Sequence, residues 1–285
     1  MTPKEFATAL EDIILSANEE FLARLLDIQD IIYNRVLVKI KDLEIDSAGM
    51  IRQSQANRAI LNDVSTAFSQ AIKQSGYLNE VETYLAVIPK LDQLAENYFM
   101  SVSDAFKPNR QFMASLQKNV IQSLETQLFN EGLESQIKRP LMDIISMNIN
   151  SGGQFSGFLD QVRAYIKGNG DIDGKLLSYA RTLTRDALFN YSRAVQQAVT
   201  NDLGLVWYFY TGGLIKTSRQ FCIDRSDKFW HVSEIRQWAG MEWAGKRPDT
   251  TESSIFIYLG GYNCAHSLVP VSDVVVPDED KNRVK

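Results

Sequence analysis

Residues 202–211 read DLGLVWYFYT, and this stretch divides the chain into two kinds of sequence. Gly204 follows a long run in which apolar residues recur with helical spacing, and glycine is the residue that most often closes a helix. The aromatic and β-branched residues from Val206 to Tyr210 favour a strand instead. The sequence therefore predicts a protein of the α+β class that is mainly α, with a small α+β module at its C-terminal end.

Ahead of Gly204, apolar residues recur every three or four positions, as they do on one face of a helix. The longest such run extends from Lys4 to Asp46 without a glycine or a proline, and a helix there would be roughly 55–60 Å long. That length predicts long N-terminal helices that form a hairpin or a coiled-coil-like arm together with a helical bundle. Glycines at positions 49 and 76 mark the first breaks between these helices.

The composition predicts four consecutive segments. Residues 1–150 form a long-helix assembly region, and residues 151–204 form connecting helices that pack on the C-terminal module. The small α+β module covers residues 205–272. The charged end of the chain, residues 273–285, is predicted to be a tail.

The net charge, the cysteine content and the absence of common motifs argue against several classes of protein. The formal net charge of -5 argues against a chain-wide basic surface for nucleic acid. No apolar stretch is long enough to span a bilayer, so no membrane contact is predicted. Two cysteines in 285 residues are too few for a disulfide scaffold, which favours synthesis in a reducing cytoplasm. The sequence has no phosphate-binding loop, serine-hydrolase elbow or zinc-protease motif, and we predict no enzyme.

All the cysteines and histidines of the chain lie in one window of the predicted module: Cys222, His231, Cys264 and His266. A two-residue turn at 226–227 would place Cys222 and His231 opposite each other on paired strands. Cys264 and His266 are two residues apart, so an extended backbone puts both on one face. Three interpretations stay open: an ordinary buried core, a structural zinc ion held by all four side chains, or a Cys222–Cys264 disulfide.

A pair of glycines, Gly260 and Gly261, lies immediately before the second cysteine. Two adjacent glycines predict a sharp turn with positive φ, or a close approach of the backbone to other atoms. Such a turn would let Tyr262 and Cys264 reach the core beside Cys222. The role predicted for these glycines is therefore structural.

Two tryptophans and three arginines are further candidates. Trp230 and Trp238 are predicted to anchor the core of the module, and on an exposed surface they would instead anchor a partner. Arg181, Arg185 and Arg193 lie on the last long predicted helix, where a solvated face is the simplest interpretation. Contact of these three arginines with DNA is the alternative.

The module resembles the C-terminal signature of phage Mu F-type head-morphogenesis proteins over residues 180–272. The motifs that carry the resemblance are Phe221-Cys222, Lys228-Phe229-Trp230-His231, Glu234-Ile235-x-x-Trp238, Gly260-Gly261-Tyr262-Asn263-Cys264-x-His266 and Pro270-Val271. The run from Gly260 to His266 is the most specific of them. Ala265 departs from the pattern, since the family often has an arginine there.

The resemblance implies a structural minor head protein of a tailed phage or prophage, which acts in head morphogenesis. Such proteins associate with the portal protein inside the capsid and contact other capsid or scaffold proteins, in a few copies per particle. The chain would be made in the cytoplasm of the host bacterium and end in the virion. Two alternatives stay open: a small Cys/His enzyme or toxin effector delivered with the phage, and a DNA-contacting packaging or ejection factor.

Overall fold

Helices make up most of the chain in the computed structural model, which describes residues 1–284. The α-helices in chain order are α1 (Pro3–Ile40), α2 (Gln55–Gln74), α3 (Tyr77–Leu85), α4 (Ile88–Val102), α5 (Arg110–Phe129), α6 (Glu131–Leu133), α7 (Arg139–Ser151), α8 (Phe155–Lys167), α9 (Lys175–Leu203), α10 (Gln220–Ile223), α11 (Val232–Trp238), α12 (Ile255–Tyr258) and α13 (Asp278–Arg283). A π-helical turn, Glu134–Lys138, joins α6 to α7. The strands are β1 (Trp207–Thr211), β2 (Lys228–His231) and β3 (Ser267–Val271), so the predicted α+β class, mainly α, is confirmed.

The long N-terminal helix α1 begins with a reciprocal cap. The backbone N–H of Glu5 donates to the Thr2 hydroxyl at 3.2 Å, and the Thr2 N–H donates to the Glu5 carboxylate at 2.8 Å. The helix ends at Ile40 instead of continuing to Asp46, because the chain tightens into i→i+3 hydrogen bonds at this end. Its buried apolar residues recur at positions 6, 10, 14, 21, 25, 28, 32, 36 and 40. The hairpin or coiled-coil-like arm predicted for the N-terminal helices stays a prediction.

The sheet has the order β2-β1-β3, and both pairings are antiparallel. In the central strand β1, Tyr208 and Tyr210 point to one face and pack in the main core of the module. Trp207 and Phe209 point to the opposite face and pack in a second, smaller cluster. Because both faces of the sheet are covered, β1 and β3 consist largely of buried residues.

Contacts divide the chain into two compact units, and neither is continuous in sequence. Unit 1 contains Met1–Ala17, Ala86–Ile121 and the described part of Thr184–Lys285, and unit 2 contains Asn18–Leu85 and Gln122–Leu183. These units do not follow the consecutive segments predicted from composition. The reason is that α1, α5 and α9 each contribute residues to both units, which no local feature of the sequence reveals.

In unit 1 the C-terminal module packs with α1 and α4. The ring of Phe6 stacks on that of Tyr98, with centroids 4.4 Å apart. The Tyr98 hydroxyl, which is buried, donates a hydrogen bond to the carbonyl oxygen of Pro270 at 2.6 Å. The sheet is thus fixed to helices that lie far away in the sequence, in addition to the core that the module forms from its own residues.

Unit 2 is built from helices that are linked by buried polar contacts. The side chain of Asn57 is fully buried, accepts a hydrogen bond from the Glu44 N–H and donates to the carbonyl oxygens of Glu44 and Arg52. The Gln29 side chain accepts a hydrogen bond from the Leu177 N–H at 3.0 Å, near the start of α9. Within residues 1–284, no helix is both long enough and apolar enough to cross a membrane.

The C-terminal residues, predicted to be a tail, pack on the module. Val276 is buried against Trp207 and Val271. Arg283 pairs with Glu234 at 2.8 Å and donates to the carbonyl oxygen of Phe229 at 2.7 Å. Val276 and Arg283 therefore have partners within the module. Lys285, the last residue of the predicted tail, lies outside the described residues.

Candidate metal centre

Three of the four predicted cysteine and histidine ligands meet at one buried place. Cys222 lies on α10, while Cys264 and His266 lie in the segment that leads into β3. One donor atom from each residue lies within 4.8 Å of the other two, and each residue is at most 5% exposed. The sulfur of Cys264 is 3.8 Å from Nδ1 of His266. The two residues of the Cys-x-His run therefore face the same centre, as their spacing predicts.

His231 is not part of this centre. The ring Nδ1 of His231 accepts a hydrogen bond from the backbone N–H of Ser233, and the backbone N–H of His231 donates to the Glu234 carboxylate. These two bonds make His231 the N-cap of α11. The hairpin predicted around 226–227 does not form either, because Cys222 belongs to a short helix and not to a strand. The prediction that all four side chains share one site is thus wrong for His231.

The backbone at Gly260 passes directly over the two sulfur atoms. A Cβ atom at this position would lie 2.6 Å from the sulfur of Cys222 and 3.0 Å from that of Cys264, closer than real contacts allow. Gly261 has a φ of +93°, and its Cβ would lie 1.8 Å from the carbonyl oxygen of Gly245. The predicted positive φ and close backbone approach are both confirmed.

Tyr262 and Asn263, the two residues after the glycines, have different surroundings. Tyr262 is 46% exposed, so the prediction that its ring reaches the core is wrong. Asn263 adopts a left-handed backbone conformation with φ of +58°, and its N–H donates to Asp186 at 2.9 Å. Asp186 also pairs with Arg247 at 2.7 Å. These contacts attach the motif to α9 immediately before Cys264.

Arg193 on α9 organises the same segment from inside. It is 3% exposed and donates to the carbonyl oxygens of His266 at 2.7 Å, Cys264 at 2.5 Å and Ile257 at 2.9 Å. Burial lowers the pKa of the Arg193 guanidinium. The prediction that Arg193 is solvated or contacts DNA is therefore wrong. Its side chain instead holds the backbone of Cys264 and His266, two of the candidate ligands. The one sequence feature that indicates burial of Arg193 is its position four residues after Phe189, because residues with this spacing lie on the same face of a helix.

The two thiols are electrostatically unequal. The hydrogen bond between them lowers the pKa of Cys264 and raises the pKa of Cys222. His266 and the charge of Arg193 lower the pKa of Cys264 further, while burial opposes them. The hydroxyl of Tyr210 lies beside Cys222, and burial raises the pKa of Tyr210 well above its ordinary value. The Cys264 thiol is therefore the more acidic of the two.

Two thiol sulfurs and an imidazole form the donor set that zinc prefers. The same groups could also act as a nucleophile and its base. Because Cys264 is 3% exposed and His266 is 5% exposed, a substrate in solution does not reach them in this conformation. Both cysteines are free thiols in the structure. The arrangement thus suits a buried ion better than a reaction with a solvent-borne substrate.

The tryptophans and one unpredicted arginine surround this centre. Trp238 is 2% exposed and belongs to the main core, as the core-anchor prediction requires, while Trp230 is half-buried at its edge. The guanidinium of Arg225 lies 3.9 Å from the ring centroid of Phe221 and 4.7 Å from that of Trp238. Sequence reasoning missed Arg225, because nothing in its local sequence distinguishes it from a surface arginine.

The other two candidate DNA contacts lie elsewhere on α9. Arg181 is exposed and forms an ion pair with Asp173 at 2.9 Å. Arg185 is partly buried, and its Nε atom is buried without a hydrogen-bond partner among the described residues. Of the three arginines, only Arg181 presents a largely solvent-exposed side chain.

Comparison with known proteins adds no relative. No protein-family model, no curated protein and no solved structure matches this chain. The resemblance to Mu F-type proteins over residues 180–272 therefore stays a prediction that rests on its motif residues.

Proposed function

We propose that this chain is a structural minor head protein of a tailed phage or prophage, acting in head morphogenesis. The observation that supports the proposal most is the convergence of the motif residues. Phe221 and Cys222 are far from Cys264 and His266 in the sequence, yet Phe221 packs in one core with both cysteines, and His266 meets the two thiols there. A signature whose parts form one core is what a family-specific folding module requires.

The proposed partner is the portal protein inside the capsid, together with other capsid or scaffold proteins. Two pairs of neighbouring apolar side chains, one in the module and one just after it, are exposed and available for such contacts. Leu214 and Ile215 are 52% and 69% exposed, and Val274 and Val275 are 83% and 56% exposed. We propose these side chains as contact points because burial of exposed apolar surface favours association.

The composition of purified particles tests this proposal. We expect mass spectrometry to find the chain in particles at a few copies each, and immobilised portal protein to capture it. The double variant Leu214→Ser and Ile215→Ser should weaken capture by the portal, because it removes exposed apolar surface. Lys216→Ser, in the same loop, is the matched control and should bind normally. Absence from both particles and portal captures would refute the proposal.

The two alternative functions have less support. A Cys/His enzyme or toxin effector would use the Cys264–His266 pair, but both side chains are buried. A DNA-contacting packaging or ejection factor would need a basic face, whereas the net charge is -5 and Arg193 is buried. Catalytic activity lost with Cys264→Ser, or salt-dependent DNA binding lost with Arg181→Ala, would favour one of these alternatives.

A further inference from the structure

We propose that Cys222, Cys264 and His266 bind one zinc ion per chain as a structural site of the C-terminal module. A tetrahedral zinc ion has Zn–S distances of about 2.3 Å and Zn–N distances of about 2.0–2.1 Å, which places a sulfur and a nitrogen ligand about 3.5–3.6 Å apart. The sulfur of Cys264 and Nδ1 of His266 are 3.8 Å apart. These two donor atoms therefore stand close to the separation that the ion requires, and the sulfur of Cys222 lies within 4.8 Å of a donor atom of each of the other two residues.

The polar atoms at this centre lack ordinary partners. Nε2 of His266 is buried and has no hydrogen-bond partner among the described residues. The Tyr210 hydroxyl, beside Cys222, is likewise buried without a nitrogen or oxygen partner. Buried polar atoms are nearly always satisfied in folded proteins, and an exception points to a missing ion or water. A zinc ion bound to Nδ1 would leave Nε2 as a donor that a buried water could accept from, and it would turn Cys222 into a strong acceptor for the Tyr210 hydroxyl.

The ligands are held from outside the centre as well. Arg193 donates to the carbonyl oxygens of both Cys264 and His266, which fixes the backbone that carries two ligands. Gly260 keeps the backbone against both sulfurs, where any side chain would force them to shift. Supporting contacts of this kind orient the ligands of metal sites. The three ligands are thus held near one another and need only small shifts to reach a common ion, whose fourth coordination position a water molecule would take.

A Cys222–Cys264 disulfide is the competing state of the same residues. It would join the two sulfurs and give no ligand role to His266, whose Nδ1 faces the sulfur of Cys264 at 3.8 Å. The metal uses all three side chains, which is why the observations favour it. On binding, each thiol that is still protonated releases its proton to the solvent, the two thiolates neutralise the ion's charge, and no oxidant is needed.

Metal content of the full chain tests the proposal directly. The protein is purified under reducing conditions without a metal-affinity tag, stripped with a chelator and titrated with Zn²⁺ or Co²⁺. We expect one ion per chain, a thiolate-to-cobalt charge-transfer absorption and a higher Tm with zinc. His266→Asn and Cys264→Ser should bind more than about tenfold more weakly, as expected when a ligand is lost. His231→Asn, which keeps an N-cap side chain outside the centre, is the matched control and should bind as the parent does.

Three results would overturn the zinc site. One is a parent chain that takes up no ion and gains no Tm with zinc. Another is binding that persists in His266→Asn and Cys264→Ser. The third is a freshly prepared chain whose intact mass is lower by two hydrogens, which marks a disulfide in place of the metal. If Cys264→Ser does not fold, the metal affinity of His266→Asn and the effect of zinc on the Tm of the parent chain still decide whether the site exists. None of these measurements involves a phage particle, so they stand apart from the test of the head-protein role.

Discussion

Unit 2 and the C-terminal module reach their folds by different means. Unit 2 is an assembly of helices in which repeated apolar positions pack in the core, and many residues make similar contributions. The module has short elements, and its centre depends on single residues such as Gly260, Arg193 and the Cys264–His266 pair. A repeated pattern tolerates change at one position, whereas a centre made of unlike groups does not. Substitutions in the two regions should therefore differ in size and even in sign.

The largest effect is expected for Arg193→Met in the module. The substitution leaves the carbonyl oxygens of Ile257, Cys264 and His266 buried without a donor, and each such group costs about 1–3 kcal/mol. We expect the free energy of unfolding, measured with urea, to fall by at least about 3 kcal/mol. Arg181→Met removes only an exposed ion pair and should change it by less than about 1 kcal/mol. Equal effects of the two would contradict the role given to Arg193.

Two glycine-to-alanine substitutions should have opposite signs. In Gly260→Ala the new methyl group meets both sulfurs, and overpacking of this kind costs about 1–3 kcal/mol. In Gly157→Ala, on α8 of unit 2, the methyl group meets nothing within 4 Å, and the helix should gain about 0.5–1 kcal/mol. Thermal unfolding of both variants measures the difference. A stabilised Gly260→Ala would mean that the backbone does not pass over the thiols.

A conservative change in a helix core should have a moderate effect. Ile28→Val removes one buried methylene from α1, and such changes typically cost about 0.5–1.5 kcal/mol. The same change at Ile32, one turn further along the same buried stripe, should cost a similar amount. Urea unfolding of the two variants checks whether neighbouring positions are interchangeable. If either variant lost as much free energy of unfolding as Arg193→Met does, unit 2 and the module would not differ in their tolerance of single substitutions.

The smallest effect concerns pH and Asp92 in unit 1. The Asp92 carboxylate accepts hydrogen bonds from the Tyr191 hydroxyl and from Gln117, but burial raises its pKa above the ordinary value of 3.8. As the pH rises past 3.8, the unfolded chain loses this proton first, so the folded state binds more protons. The contribution of Asp92 to stability is therefore present at low pH and falls until the folded pKa is passed.

Asp92→Asn removes this titration and keeps the shape of the side chain. The free energy of unfolding of the variant minus that of the parent should grow with pH above 3.8 and then level off. Urea unfolding at a series of pH values between about 3.5 and 7 measures this difference. A difference that shrinks as the pH rises would reverse the sign and exclude a raised pKa.

The sequence predicted the helices better than their arrangement. The end of α2 at Gln74, shortly before Gly76, and the end of α9 at Leu203, immediately before Gly204, follow the predicted breaks closely, because helix periods and glycine stops are local signals. The two compact units could not be predicted, since they depend on which distant helices pack together. Docking of the C-terminal residues on the module was missed for the same reason.

The candidate site was predicted in part. The spacing of Cys264 and His266 and the glycine pair before them indicated a shared face and a close backbone approach. His231 was wrongly included, because its capping role depends on a helix that begins immediately after it. Arg193 was assigned to the wrong surface, since an arginine on a long helix is usually solvated and only packing shows otherwise.

The central claim is that Cys222, Cys264 and His266 form one metal centre in the module. X-ray absorption at the zinc edge, on the reconstituted full chain, tests it most directly because it reports the atoms bound to the ion. We expect two sulfur atoms at about 2.3 Å and an imidazole nitrogen at about 2.0–2.1 Å. A spectrum with oxygen and nitrogen ligands alone, or with one sulfur, would contradict the claim.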